Sequence, residues 1–355
     1  MIIKIKSLLR PAVRAIYRLV KPFLRPVVER IRAYFLAGLQ KDNPQNLLII
    51  LADLKEIKTE LHDQRKLRQL DIARLDRVEQ YAFAAARRFA INCGPGEVLV
   101  RSEVGYILCS PSDHAVLACL IDTGDLERGT RYLIQNFLKP NDVFVDIGAN
   151  LGMHTLAAAR AMQGKGRIIA FEPFEPTQRL LAKSIWMNGF ADMTEIHQAA
   201  VSNRAGLQTL FLGASSGHHS LFPLTTPSSL APQPVEVALV RLDDVLSDST
   251  KVDLIKIDVE GAELDVLESA RPIIASNPSI ALIVEFGFSH LARSGHSTKD
   301  WLAAFHGLGL VQHAINVDTG QLEQWTIEQL EAVESVNLFF ARPESVAWAK
   351  ARVST

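Results

Sequence analysis

The chain has 355 residues, with 38 Lys and Arg against 39 Asp and Glu, and 48% of its residues are hydrophobic. That length can bury a real core in one large or two modest domains, and near-zero net charge gives no reason to expect a nucleic-acid partner. Three cysteines with no CxxC pair are too few for a disulfide framework and fit a reducing, cytoplasmic compartment. No histidine cluster stands at metal spacing, so the sequence names no metal ligand.

Residues 1–40 form a first region. Over 1–36, nine basic residues (Lys4, Lys6, Arg10, Arg14, Arg18, Lys21, Arg25, Arg30, Arg32) face one acid, Glu29. Apolar residues from Ile5 to Tyr34 recur at steps of three or four, the spacing of one helical face. Pro11, Pro22 and Pro26 kink such a helix. The charges forbid a membrane span, which needs about 20 apolar residues. A basic amphipathic segment can instead lie on an anionic membrane surface, here the inner face of the membrane. The alternatives are a helix packed on its own domain with a solvated basic face, and a mitochondrial transit peptide, which the single Ser7 disfavours.

Residues 41–90 read as a helical region. Leu47, Ile50, Leu54, Ile57 and Leu61 follow a coiled-coil seam. The frame passes through Gln64, Arg68 and Asp71 and resumes in phase at Leu75, Val78, Ala82, Ala85 and Phe89. A coiled coil over 47–89 predicts a homo-oligomer. Two amphipathic helices broken near "HDQRK" are the alternative.

From residue 91 to 355 strands and helices alternate. "GPGEVLVRSEVGYILC" reads as a hairpin and "RGTRYLIQNFL" as a helix. "VFVDI", "RIIAF", "TEIHQAAV", "LIKIDVE", "SIALIVEFG", "GLVQHAI" and "SVNLFFAR" read as strands. "GMHTLAAARAM", "EPTQRLLAKSIWMN" and "AELDVLESA" read as helices between them, with a flexible stretch over 213–234. Such alternation with near-continuous apolar strands predicts an α/β fold, a doubly wound and mostly parallel sheet. Its ligand site lies beyond the carboxyl ends of the strands.

At that edge stands "VFVDIGANLGMHT", residues 143–155. Gly148 permits a tight turn and close backbone approach, and Gly152 opens a helix whose amides attract electronegative groups. Asp146 repels a pyrophosphate and suits a cationic ligand. Glu172 closes the next strand, where an acid accepts hydrogen bonds from ribose hydroxyls. An acid near a cation, a glycine turn and a ribose acid together describe S-adenosylmethionine. They describe a nicotinamide cofactor less well, because Asn150 replaces the second glycine of G-x-G-x-x-G.

The segments "DVFVDIGANLGMHTLAAA", "IIAFEPFEPTQRLLAKSIWMNG", "VRLDDVL", "VDLIKIDVEGAELDVLESA" and "IVEFG" resemble the FkbM family of S-adenosylmethionine-dependent methyltransferases over roughly residues 98–341. The resemblance implies a Rossmann-like class I methyltransferase fold of seven strands, the last antiparallel. It also implies O-methylation of sugars, polysaccharides or secondary metabolites. By position it assigns Asp146, Gly148, Asn150 and Gly152 to the first cofactor loop, Glu172 to the ribose and Asp258 to the methyl-transfer edge. It places the adenine near Ala199, Ala200 and Val201, and Glu127 of "TGDLERG" beside the cofactor.

The residues themselves nominate the acceptor site. Strand alternation puts Lys256, Asp258 and Glu260 on one side. Asp258 or Glu260 serves as base or anchor for a sugar or glycan hydroxyl, while Lys256 reads as a structural partner of Asp258. His219, beside His218, is a further candidate base. Glu285 can hold a sugar hydroxyl, and His154 lines the cofactor pocket or packs in the core. The chain has "DVEG" where amine methyltransferases of nucleobases carry an Asn/Asp-Pro-Pro-aromatic turn, which argues against nucleic acid. A membrane-tethered binding or scaffold protein that keeps the fold without turnover is the rival outside the enzymes.

Overall fold

The computed structural model describes residues 29–30, 33, 44–86, 90–224, 233–247 and 250–352. The basic segment read at 1–36 lies outside the described residues apart from positions 29, 30 and 33. The chain divides into two compact units, 1–86 and 87–355. The first contains helix α1 (Pro44–Ala86), which runs through His62, Asp63 and Gln64 without a break. Leu61 and Leu75 on the heptad seam are exposed, and so are Leu67, Leu70 and Ile72 away from it. No helix among the described residues is long and apolar enough to cross a membrane.

The second unit opens with an antiparallel sheet of β1 (Ala90–Gly94), β2 (Glu97–Ser102) and β3 (Gly105–Cys109). Helices α2 (His114–Asp122) and α3 (Arg128–Phe137) follow. The sequence pattern missed α2, because "HAVLACLID" is too uniformly apolar to show a helical period. Then come β4 (Val143–Ile147), α4 (Met153–Ala161), β5 (Arg167–Phe171), α5 (Glu175–Met187) and β6 (Thr194–His197). A small sheet is built from β7 (Ala200–Val201), β8 (Gly206–Leu210) and β9 (Val235–Val240). The chain continues through α6 (Leu242–Val245), β10 (Leu254–Ile257), α7 (Glu263–Ser276), β11 (Ala281–Gly287), α8 (Phe288–Ser294) and α9 (Thr298–His306). It closes with β12 (Val311–Ile315), β13 (Leu322–Glu323), α10 (Ile327–Leu330), β14 (Ser335–Ala341) and α11 (Ala347–Lys350).

The main sheet runs β13-β12-β14-β11-β10-β4-β5-β6. Strands β6, β5, β4, β10 and β11 are parallel, and β14 is antiparallel to both β11 and β12. This is the doubly wound sheet expected from the alternation, with the two-residue β13 added at one edge. One expected strand divides: "TEIHQAAV" leaves the main sheet after His197 and enters the small sheet at Ala200.

Both faces of the sheet are covered, which is why its strands are apolar at successive positions. Phe144, Ile168, Leu254 and Phe339 pack on one face with Leu133, Leu156 and Leu181. Val145, Ile169, Ile255 and Phe340 pack on the other with Val266, Ile273 and Trp301. Polar exceptions inside this sheet, Asp146 and Lys256, are therefore conspicuous.

Candidate functional site

Strand order reverses between β4 and β10, and ligands of doubly wound sheets bind in the crevice there. Gly148 leaves β4 at φ +82°, and a Cβ on it would stand 1.8 Å from the backbone oxygen of Asp258. Only glycine combines that conformation with so close a crossing. The amides of Gly148 and Ala149 both donate to the carbonyl of Phe171, at 3.0 and 2.9 Å. Asn150 takes a left-handed φ of +49°. Its amide donates to Glu172 Oε2 at 3.1 Å, while the Phe174 amide donates to Glu172 Oε1 at 3.0 Å. Glu172 thus ties the loops after β4 and β5 together. Burial pushes its carboxyl up to about 7 against the pull of those two amides.

One cavity gathers Gly148, Asn150, Glu172, Ala200, His219, Asp258 and Glu260 in its wall. Ala199, Val201, Leu210 and Leu221 supply its apolar side. The segment after β8 closes over it through two anchors. The Ser216 amide donates to Asp113 Oδ2 at 2.7 Å, and the Ser220 hydroxyl donates to the Glu260 carbonyl at 2.7 Å.

Three expected cofactor residues lie elsewhere. Asp146 is wholly buried in β4; Thr155 Oγ1 donates to its Oδ2 at 2.6 Å, and its Oδ1 meets no donor. Burial raises its pKa against the pull of the Lys256 charge and the Thr155 bond. Gly152 has a packing role, because a Cβ there would lie 2.6 Å from Leu181 Cδ1 where α5 meets the start of α4. Glu127 lines a neighbouring cavity with Glu285 and Asn337. Its Oε2 accepts from Asn337 Nδ2 at 2.9 Å and stands 3.5 Å from His154 Nε2.

Lys256, 1% exposed, donates to Asp258 Oδ2 at 2.6 Å. Burial alone would lower its pKa, but the charges of Asp258, Glu127 and Asp146 raise it instead. Burial likewise opposes ionisation of Asp258, and Lys256 overcomes it, so Asp258 is held below its usual range. Glu285 goes the other way: burial first, then the charges of Asp258, Glu127 and Glu260, drive its carboxyl well up. Two neighbouring carboxyls pushed apart in this manner take different protonation roles. Lys256 is the structural partner its sequence position suggested.

His219 is corrected as a base. Its Nδ1 accepts from the Gly213 amide at 3.1 Å, which leaves Nε2 carrying the proton. Burial also lowers its pKa to about 4. In the cavity it is a neutral donor. His218 is exposed and bonded to Ser215 Oγ at 2.9 Å. His154 is buried, and burial, followed by the Lys256 charge, keeps it neutral.

Sequence reasoning missed His290, whose Nε2 stands 2.8 Å from Glu260 Oε2, and Asn337, which holds Glu127. Neither sits in a motif; each arrives from a distant strand or helix.

Residues 146–311 match the family model described as the methyltransferase FkbM domain. Methyltransferase sdnD of Sordaria araneosa is 29% identical over 160 residues, covering 37% of this chain and 61% of that protein. Methyltransferase 1 of Beauveria bassiana (strain ARSEF 2860) is 29% identical over 147 residues, covering 36% of this chain and 58% of that protein. The chain thus spans about three fifths of the length of these curated relatives. The crystal structure of methyltransferase FkbM from Methylobacillus flagellatus KT aligns over 61% of this chain and 48% of that one, at 18% identity and a TM-score of 0.39. The glycine turn of β4, the Glu172 loop and the "IKIDVEGAE" edge all fall inside the stretch that matches the methyltransferase FkbM domain.

Proposed function

We propose that the chain is an S-adenosylmethionine-dependent O-methyltransferase acting on a hydroxyl of a glycan, glycolipid or related metabolite. One observation carries the reading: a single cavity is walled by the glycine turn after β4, by Glu172 after β5 and by Asp258 after β10. The residues fit the cofactor. Gly148 lets the turn pass close against Asp258, and Asp258, held ionised beside Lys256, suits a ligand bearing positive charge.

When bound, S-adenosylmethionine supplies a methyl group on a sulfonium. Glu172 holds the ribose hydroxyls, and the wall at Ala199, Ala200 and Val201 receives the adenine. His219 donates from Nε2 to an acceptor atom of the ligand. Asp258, ionised beside Lys256, accepts the hydrogen bond of the substrate hydroxyl and aligns its lone pair, since methyl transfer depends chiefly on in-line positioning. Glu127, Thr130, Ser335 and Asn337 in the neighbouring cavity provide polar partners suited to a sugar. A nicotinamide cofactor is disfavoured by Asn150 at the second glycine position.

Two further parts belong to this reading. Residues 1–36 hold the enzyme peripherally at an anionic membrane surface, and α1 gathers copies into a homo-oligomer, supported by exposed Leu61 and Leu75 on its seam. Calorimetry of the full chain tests the cofactor: S-adenosylmethionine should bind and NAD should not. Release of S-adenosylhomocysteine with hydroxylated acceptors, and a methyl mass difference in surface glycans with and without the gene, test the reaction. Binding without release for any acceptor would favour a scaffold.

A further inference from the structure

We propose that Glu260, Glu285 and His290 form a binding site for one divalent first-row cation, set between the two cavities. Three elements deliver the ligands: Glu260 follows β10, Glu285 ends on β11 and His290 lies on α8. One ligand atom from each lies within 4.8 Å of the others. His290 Nε2 and Glu260 Oε2 are 2.8 Å apart. Donors bound at about 2.1 Å to one ion stand roughly 3 Å from one another, a spacing the His290–Glu260 pair already has. Two carboxylates, one imidazole and open positions make a donor set for Mn²⁺ or Zn²⁺.

The site is built. A Cβ on Gly287 would come within 2.4 Å of His290 Nδ1, so glycine there lets the imidazole fold back over the strand end. Glu260 is 6% exposed and held at a left-handed φ of +54°. Glu285 Oε2 is enclosed and meets no donor. Arg293 Nη2, 3.4 Å from Glu260 Oε2, is the competing cation.

The chemical use of such an ion, polarising an acceptor oxygen, rests on the proposed methyl transfer; its binding does not.

The test titrates Mn²⁺ into metal-stripped full-length protein, following free Mn²⁺ by electron paramagnetic resonance. One Mn²⁺ per chain is expected. Glu285→Gln and His290→Gln should each weaken it tenfold or more, while Glu195→Gln, on the exposed end of β6, leaves it unchanged. Absence of stoichiometric Mn²⁺ and Zn²⁺ uptake by the wild-type chain overturns the proposal, as does uptake indifferent to both variants. No methyl donor enters the titration, so its failure leaves the methyltransferase reading intact, and failure of the cofactor calorimetry leaves the cation site intact.

Discussion

Gly148→Ala isolates the crossing on which the cavity depends. At φ +82° an alanine suffers the left-handed penalty, about 1–2 kcal/mol. Its Cβ would also sit 1.8 Å from the Asp258 carbonyl oxygen, more than 1 Å inside normal contact. Neither partner moves freely. The Gly148 amide is bonded to Phe171, and the Asp258 amide donates to the Ile147 carbonyl at 3.0 Å. Forced overpacking of that kind costs about 1–3 kcal/mol more. Gly189→Ala is the matched control, since φ is +79° there and nothing lies within 4 Å of the added carbon. Urea denaturation should therefore show about 1–2 kcal/mol lost for Gly189→Ala and about 2–5 kcal/mol for Gly148→Ala. Calorimetry should show S-adenosylmethionine affinity reduced only by the latter. Equal stability losses in the two variants, with cofactor binding intact in both, would refute the crossing as the reason for glycine.

Glu172 is raised in the folded state, so the native chain holds that proton more tightly than the unfolded one. Stability is full below pH 4.5 and falls as pH rises towards about 7, by on the order of 3 kcal/mol. Glu172→Gln should flatten part of that decline in denaturation curves of ligand-free protein, and parallel pH profiles would count against the assignment. Asp258→Asn strips the buried Lys256 of its nearest partner and should cost about 3 kcal/mol, the low end for such a loss because Glu127 and Asp146 remain. Turnover should disappear while cofactor affinity stays within about threefold, a change under 1 kcal/mol; a surviving rate would remove Asp258 from the reacting hydroxyl. Deleting residues 1–40 should release the protein from anionic liposomes without changing its oligomer, and deleting 1–90 should also give monomers. A full-length protein that is monomeric in light scattering and ignores such liposomes would overturn both halves.

Much of this was legible in local chemistry. The doubly wound sheet follows from strands apolar at successive positions, because both faces are buried and every residue of Phe144, Val145, Ile168 and Ile169 needs an apolar neighbour. Gly148, Glu172 and Asp258 were legible as edge residues because each stands at a strand end and parallel strands bring their ends to one edge, while Asn150 and Ala200 were named through the resemblance to the FkbM family. What stayed hidden depends on contacts across the sheet. Thr155 holds Asp146 Oδ2 inside the core, Leu181 gives Gly152 a packing reason, and the Gly213 amide takes Nδ1 of His219. Glu260, Glu285 and His290 meet only because β10 and β11 are neighbours and Gly287 leaves space for a ring. Sequence spacing determines which residues reach the edge of a sheet. Protonation, partner and side of the wall are decided by atoms that arrive from other elements, which only the folded chain brings within hydrogen-bonding distance.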